Sequence, residues 1–351
     1  MVDSNVSILL IYTGGTIGMV ENNVTGSLEP FNFSHIDSNF PELQELKFKV
    51  DTVVFDPVID SSEISPKHWQ KLVGIIEEYY ERYDGFVILH GTDTMAYTAS
   101  ALSFMIQNLN KPIVLTGSQL PIGKLRTDAK ENLIAALEIA AEKDSQGNPM
   151  VPEVTIFFEN CLMRGNRSSK INADNFKAFK SYNYPSLAKS GIKIRYQRGL
   201  ILKPEPHTRV KFHYEMKNRI VILKLFPGME QSIIETILGL ELVEAVILET
   251  YGSGNAPRKE WFLKALQTAV KRGVIIVNIT QCEMGCVDMQ RYETGHELLK
   301  AGVISGFDMT CETAVTKLMF LMGCGYSREE VIARMRTPLA GEITRPDERD
   351  V

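Results

Sequence analysis

Two short segments, Thr13-Gly14-Gly15-Thr16 and His90-Gly91-Thr92-Asp93-Thr94, hold the side chains with the most chemical potential. Each follows an apolar run that reads as a buried strand, Ser7–Tyr12 and Phe86–Leu89, and each leads into a stretch of helical character. Strands that end this way put hydroxyls, a carboxylate and free N–H groups at the carboxyl edge of a sheet, where open α/β sheets bind ligands. Nothing here cradles phosphate. Thr13 stands where a dinucleotide fingerprint has its first glycine, and there is neither a P-loop nor a Gly-x-Ser-x-Gly elbow. The expected chemistry is attack by a hydroxyl, with Thr16 as candidate nucleophile. A threonine hydroxyl is weak at neutral pH and needs a base or relay. Thr92 and Asp93 supply a second hydroxyl and a carboxylate, and Lys170, in Arg164-Gly165-Asn166-Arg167-Ser168-Ser169-Lys170, is the candidate base. A lysine acts as a base only where burial or neighbouring cations favour its neutral form, and Arg164 and Arg167 lie close to it in the chain. The Gly15–Thr16 and Gly91–Thr92 turns expose N–H groups that could hold an oxyanion. Asp93 could pair with a substrate ammonium. Each piece alone has a plainer reading: a Gly-Gly-Thr turn is more often structural, and Thr-Asp after a strand is often a helix N-cap.

The elements that must position these residues alternate as strand and helix. Ser65-Pro66 opens a helix through about Arg82, with Trp69, Leu72, Val73 and Ile76 at helical spacing. Phe86–Leu89 reads as strand, Ala96–Leu109 as helix, Pro112–Leu115 as strand, Asp128–Lys143 as helix and Thr155–Phe158 as strand. From Ser181 to about Met216 the rhythm breaks at Pro185, Pro204 and Pro206. It resumes with strand at Arg219–Leu225, helix from Ser232, strand at Ala245–Leu248, helix at Pro257–Arg272, strand at Val274–Ile279 and helix at Glu312–Leu321. Ser327-Arg328-Glu329-Glu330 is a capping box for a last helix, and the charged tail Gly341–Val351 is expected to be loose. The expected fold is α/β: a larger N-terminal domain with a mostly parallel sheet over 1–196, a linker over 197–217, and a smaller C-terminal α/β domain over 218–351.

Composition narrows the function classes. The formal net charge of −5 gives no basic field for nucleic acid, and Lys193–Arg198 reads as a solvated face. No apolar run approaches the roughly 20 residues that cross a bilayer. The start of the chain lacks the basic and long apolar regions of a secretory signal, so a cytoplasmic protein is expected. Five scattered cysteines and six histidines show no metal-ligand spacing; Cys282 and Cys286 have no second Cys/His pair nearby. No metal is expected.

Taken together, several words resemble the bacterial-type L-asparaginase family in its cytoplasmic type I branch. They are Tyr12-Thr13-Gly14-Gly15-Thr16-Ile17-Gly18-Met19, Asp60-Ser61-Ser62-Glu63, His90–Tyr97 and Thr116-Gly117-Ser118-Gln119-Leu120-Pro121. Arg164–Arg167, Tyr251-Gly252-Ser253-Gly254-Asn255-Ala256-Pro257 and Gly306–Thr310 complete the set, in family order and over essentially the whole chain. The resemblance implies hydrolysis of L-asparagine through a β-aspartyl ester on Thr16, with Thr92, Lys170 and Asp93 relaying protons. It implies that Ser61 and the Asp60–Ser62 loop hold the substrate α-carboxylate, that Asp93 also meets the α-ammonium, and that Asn255 reaches the site of a neighbouring subunit in a homo-oligomer of at least two chains. It implies no cofactor. Glutaminase activity, or a non-catalytic amino-acid sensor, are the alternatives.

Two positions depart from the family pattern. Many members have a tyrosine on the loop after the nucleophile, where this chain reads Gly26-Ser27-Leu28-Glu29-Pro30. Tyr12 is expected to lie on its strand and point elsewhere, so the activation of Thr16 falls to Lys170 through Thr92, or to water. The second departure is Leu248-Glu249-Thr250, where allosteric type I enzymes carry an arginine that binds regulatory asparagine. A carboxylate there would repel that ligand's α-carboxylate, so the asparagine-driven switch is expected to be absent or altered. The segment Met19–Gly26 is expected to be mobile.

Overall fold

A computed structural model describes residues 6–21, 28–30, 43 and 45–344. The chain divides between Tyr214 and Glu215 into two compact units. In the first, eight strands form one sheet: β1 (Ser7–Tyr12), β2 (Lys49–Val54), β3 (Gly85–Leu89), β4 (Ile113–Thr116), β5 (Val154–Phe158), β6 (Cys161–Arg164), β7 (Ala188–Lys189) and β8 (Arg195–Tyr196). Their spatial order is β8-β7-β6-β5-β4-β3-β1-β2. The five strands from β2 to β5 in that order are parallel, and β6, β7 and β8 extend the sheet antiparallel. The expected α/β architecture is thus present, with an antiparallel margin.

The central strands are near-continuous apolar runs because helices cover both faces. Ile8, Leu10 and Tyr12 of β1, Val87 and Leu89 of β3, Val114 and Phe157 share a core with Leu133, Ala136, Leu137 and Ala140 of α3 (Ala129–Ala141). The alternate residues Leu9, Ile11, Phe86, Ile88, Leu115 and Ile156 are buried as well. Helix α1 (Pro66–Tyr79) buries Trp69, Leu72, Val73 and Ile76, the stripe read from its sequence. Ser65 caps it, with Pro66 in the first turn and the His68 ring completing the box by accepting the Ser65 N–H. Helix α2 (Met95–Met105) stops four residues short of the expected Leu109, because Ile106–Gln107 leaves the helix to pair antiparallel with Lys211–Phe212. That pairing is a tertiary contact, and it overrides local helix propensity.

The second unit carries a four-stranded parallel sheet in the order β9 (Ile220–Lys224), β10 (Ala245–Thr250), β11 (Ile275–Thr280), β12 (Ile304–Ser305). Helices α4 (Gln231–Gly239), α5 (Glu260–Lys271), α6 (Glu293–Lys300), α7 (Cys311–Gly323) and α8 (Arg328–Met335) complete it. Pro257 lies before α5 rather than in its first turn, and Lys259 is the N-cap. The Ser327/Glu330 capping box on α8 is as read from the sequence.

The tail departs from expectation. Glu342 is fully buried and meets Lys317 of α7, also fully buried, at 2.6 Å. The Lys317 ammonium also donates to the Met335 and Thr337 carbonyls, while the Glu342 carboxylate accepts the Leu339 and Ala340 N–H groups. Thr344 donates its N–H to Asp308. Residues 341–344 are therefore anchored by a satisfied buried ion pair, and 345–351 lie outside the described residues. Residues 22–27 also lie outside them, so the expected mobile segment is described only where Met19–Glu21 pairs with Leu28–Pro30.

Candidate active site

Strand register brings the polar words together. Tyr12, Leu89 and Thr116, the last residues of β1, β3 and β4, pair across the sheet in one row. Thr13, His90 and Gly117 therefore leave the carboxyl edge side by side. Thr13 donates both its N–H and its hydroxyl to the Leu89 carbonyl, at 3.0 Å each. His90 donates its N–H to the Thr116 carbonyl at 2.9 Å.

The glycines in these words are required by close approach rather than by flexibility. Gly14 (φ +136) leaves so little room that a Cβ would sit 2.1 Å from the Ile59 carbonyl oxygen. One on Gly15 (φ +93) would sit 2.5 Å from Gly91 Cα, and one on Gly91 would sit 2.5 Å from the Ser61 Oγ. The turn holding Thr16 is thus pressed backbone to backbone against Ile59 and against the loop holding Thr92 and Asp93, and that loop packs on the Ser61 side chain. The Thr16 turn is a short 3-10 turn, Thr16–Gly18, whose preceding glycines are clamped on two sides.

Tyr12 ends its strand, and its side chain meets the same turn. Its hydroxyl runs beneath that turn and donates to the Gly18 carbonyl at 3.1 Å, and its ring fills the space a Cβ on Gly18 would need. Burial pushes its hydroxyl up to about 12, so it stays protonated and supports the turn as a strut.

Lys170 reaches the same edge from another direction. The chain leaves β6 through a 3-10 turn, Gly165–Arg167, wedged so closely under α2 that a Cβ on Gly165 would meet Ala99 Cβ at 2.9 Å. A short strand, Ser169–Lys170, then pairs antiparallel with Phe179–Lys180. From there the Lys170 ammonium donates to the Thr92 hydroxyl oxygen at 2.8 Å and to the Asp93 carboxylate at 2.6 Å. The Lys170 side chain is 18% exposed and that of Asp93 65%. The two arginines expected to act on Lys170 are engaged elsewhere. Arg164 pairs with Glu153 at 2.7 Å and donates to the Leu200 carbonyl, and both guanidinium groups lie over the Tyr184 ring.

Gln119 is a residue the sequence reading quoted but gave no part. Its side-chain oxygen accepts the Thr92 hydroxyl hydrogen at 3.3 Å, and its amide nitrogen donates to the Asn175 carbonyl. With its own hydrogen turned to Gln119, the Thr92 oxygen is free to accept from Lys170. The Asp128 carboxylate holds the Gln119 and Leu120 N–H groups, and Asn132 ties Asp128 to the Gly117 carbonyl. The presence of Gln119 in a strand-end word with Gly and Ser was the only signal available for it.

In the Asp60–Ser62 loop, Asp60 is the cap of a 3-10 turn, Ser61–Glu63, accepting the Ser62 N–H at 2.8 Å. That bond holds its carboxyl below its ordinary range. Ser61 is buried against Gly91, and its carbonyl accepts the Thr94 hydroxyl. Ser62 is exposed. Asn255 belongs to the second unit, in a tight turn after β10 closed by reciprocal Tyr251 and Asn255 backbone bonds, and its side-chain oxygen accepts from Thr294 at 2.6 Å. Glu249, on β10, forms an ion pair with Lys224 at 3.5 Å. Burial and the adjacent Glu249 carboxylate push the Cys311 thiol up. Among the described residues no group of three or more His, Cys, Asp or Glu side chains is placed to hold a metal ion, and no helix is long and apolar enough to cross a membrane.

Comparisons with known proteins cover both parts of the chain. Residues 7–202 match the family described as Asparaginase, N-terminal, and residues 219–335 the Glutaminase/Asparaginase C-terminal domain. The chain is 43% identical to L-asparaginase 1 of Escherichia coli (strain K12), over 97% of this chain and 99% of that one. Among solved structures it is similar to L-asparaginase I from Vibrio cholerae, with a TM-score of 0.88 and 43% identity over 97% of this chain and 100% of that one. It is also similar to the thermostable L-asparaginase from Thermococcus kodakarensis, with a TM-score of 0.86 and 34% identity over 97% and 99%. With both domains matched in order and nearly its whole length aligned, the chain belongs to the asparaginase family.

Proposed function

We propose that this chain hydrolyses L-asparagine to L-aspartate and ammonia, with Thr16 as the nucleophile. The Thr16 oxygen adds to the side-chain amide carbon. The C–N bond breaks, the hydroxyl proton leaves with the nitrogen as ammonia, and a β-aspartyl ester remains. Water then adds to the ester, Thr16 recovers a proton and aspartate departs. Lys170, Thr92 and Asp93 pass these protons, and backbone N–H groups of the clamped turns hold the oxyanion. Ser61 and the backbone of the Asp60–Ser62 loop take the substrate α-carboxylate, and Asp93 takes its α-ammonium.

The observation that carries this reading is the Lys170 ammonium bridging the Thr92 hydroxyl at 2.8 Å and the Asp93 carboxylate at 2.6 Å, in a loop packed against the turn that holds Thr16. Such a row of proton carriers serves a reaction and has no use in a sensor that only binds. Thr16 has no loop tyrosine beside it in the sequence, and Tyr12 is committed to the Gly18 carbonyl. Lys170 through Thr92, or a water, therefore activates it. Glutamine is a second substrate in this proposal, because one methylene changes discrimination by only about 1–3 kcal/mol. The protein works in the cytoplasm as a homo-oligomer of at least two chains, with Asn255 completing the site of a neighbour.

The test is ammonia release from L-asparagine by the parent and by Thr16→Ala, over a range of substrate concentrations. Turnover abolished by the substitution is expected, with a hyperbolic curve because Glu249 stands in the family's regulatory arginine position. No release by folded parent protein would overturn the proposal. A sigmoidal curve would overturn the loss of the asparagine switch.

A further inference from the structure

Behind the His90–Thr94 loop lies a buried row of polar groups to which the reaction above assigns no part. The Trp69 indole nitrogen of α1 is 3.0 Å from the Thr98 hydroxyl of α2. That hydroxyl is 2.9 Å from His90 Nε2, and His90 Nδ1 is 2.7 Å from the Gly91 carbonyl oxygen. All three side chains are buried.

The proton positions follow by elimination. A carbonyl only accepts, so Nδ1 carries the ring hydrogen. Burial pushes the imidazole down to about 4, so the ring is neutral and Nε2 is bare. Nε2 then accepts the Thr98 hydroxyl hydrogen. The indole only donates, and it fills a lone pair on the Thr98 oxygen. Every hydrogen in the row points the same way, from Trp69 toward Gly91.

The carbonyl at the end of the row belongs to the peptide that joins Gly91 to Thr92. In a trans peptide the C=O and N–H point in opposite directions. Drawing the carbonyl toward the buried ring turns the Thr92 N–H away from it. The same peptide plane sets where the Thr92 side chain begins, and hence its hydroxyl's meeting with Lys170. Gly91 has no side chain with which to fix this plane, because the approach of Gly15 and Ser61 leaves no room for one, and that approach restrains it from the other side only. Glycine is also the residue with the widest backbone freedom. The His90 hydrogen bond adds a directional restraint on the carbonyl that this packing does not itself supply.

We propose that His90 is a positioning residue for the hydrolysis: its Nδ1 hydrogen fixes the plane of the Gly91–Thr92 peptide, and Thr98 and Trp69 fix its tautomer from behind. This rests on the asparagine reading above and adds to it a residue that never touches substrate.

The test compares two conservative substitutions. His90→Asn places an amide nitrogen near the position of Nδ1 and restores the bond to Gly91. His90→Gln reaches instead toward Thr98 and leaves the Gly91 carbonyl without that donor. The expected kcat for His90→Asn is within about threefold of the parent, and for His90→Gln about 10–100-fold lower, the range that small misplacements cost. KM should change little in either, and melting temperatures should fall by similar amounts. Thr98→Val, which keeps the shape and removes the hydroxyl, should give an intermediate kcat. Equal kcat for the Asn and Gln variants, or kcat that simply follows melting temperature, would overturn the proposal.

A second measurement needs no turnover. Nitrogen NMR of the ¹⁵N-histidine-labelled parent should find His90 protonated at Nδ1 and bare at Nε2 from pH 5 to 9. The opposite tautomer would overturn the inference whether or not asparagine is hydrolysed. A parent with the expected tautomer that releases no ammonia would overturn the asparagine reading, and the catalytic part of this one with it.

Discussion

Replacing Lys170 by methionine should remove most of the turnover while leaving the fold standing, and two magnitudes separate these outcomes. The Lys170 ammonium makes an ion pair with Asp93 whose carboxylate side is 65% exposed. An ion pair with one partner largely in water contributes about 0–1 kcal/mol, and methionine keeps most of the apolar stem. The melting temperature should therefore move by no more than about 2–4 °C. Proton transfer by a positioned group contributes about 10²–10⁴-fold in rate, or about 3–5 kcal/mol of barrier. Lys170 is the hub between the Thr92 hydroxyl and Asp93, so its loss should lower kcat by that factor. Lys170→Arg keeps the charge and a bond to Asp93, but a guanidinium does not give up its proton, so it should be almost as slow. The assay is ammonia release at saturating asparagine, beside calorimetry of each variant. A methionine variant retaining more than about a tenth of the parent kcat would refute the assignment of proton transfer to Lys170.

Three further outcomes are expected. Gly15→Ala places a Cβ 2.5 Å from the Gly91 Cα at φ +93; the turn must shift, so stability should fall by about 1–3 kcal/mol and kcat more than about tenfold, read by urea unfolding and ammonia release. Lys317→Met strips the buried Glu342 of its cation and should cost about 3–5 kcal/mol, part of which Glu342→Gln in the same chain should restore, again by urea unfolding. His90 protonates near pH 4 in the folded protein against about 6.5 in the unfolded chain. Between those values the unfolded chain binds more protons, so the stability present above about pH 6.5 is lost as pH falls toward 4, by about 3 kcal/mol in all. Melting temperatures across that window should drop more steeply for the parent than for His90→Asn, which lacks the group.

Much of the scaffold was legible in advance for a local reason. Helix α1 announces itself by Ser65, Pro66 and an apolar stripe at 3.6 spacing, and α8 by its capping box; both signals lie within a few residues of the element they define. The central strands read as apolar runs because both of their faces are covered. The errors came where distant chain intervenes. Helix α2 ends early because Lys211–Phe212 takes up Ile106–Gln107, and the tail is anchored at Glu342 by a lysine 25 residues away in sequence (342 − 317). Arg164 and Arg167 lie beside Lys170 in sequence, yet they serve a wall built with Glu153 and Tyr184.

The candidate site divides the same way. Thr16, Thr92, Asp93 and Lys170 could be picked out as candidates from the sequence, because residue type and local chain context are local properties. So could the fold class, which follows from the alternation of periods along the chain. Their meeting could not. It depends on the register that sets Tyr12, Leu89 and Thr116 in one row, and on Gly14, Gly15 and Gly91 leaving room for three segments to approach closely. The parts played by Gln119, Tyr12 and His90 were equally hidden, since each acts by pointing a hydrogen-bonding group at a backbone or hydroxyl that only the folded chain brings near. Pattern along a chain records what each residue can do. Which residues do it together is decided by close packing between segments far apart in sequence.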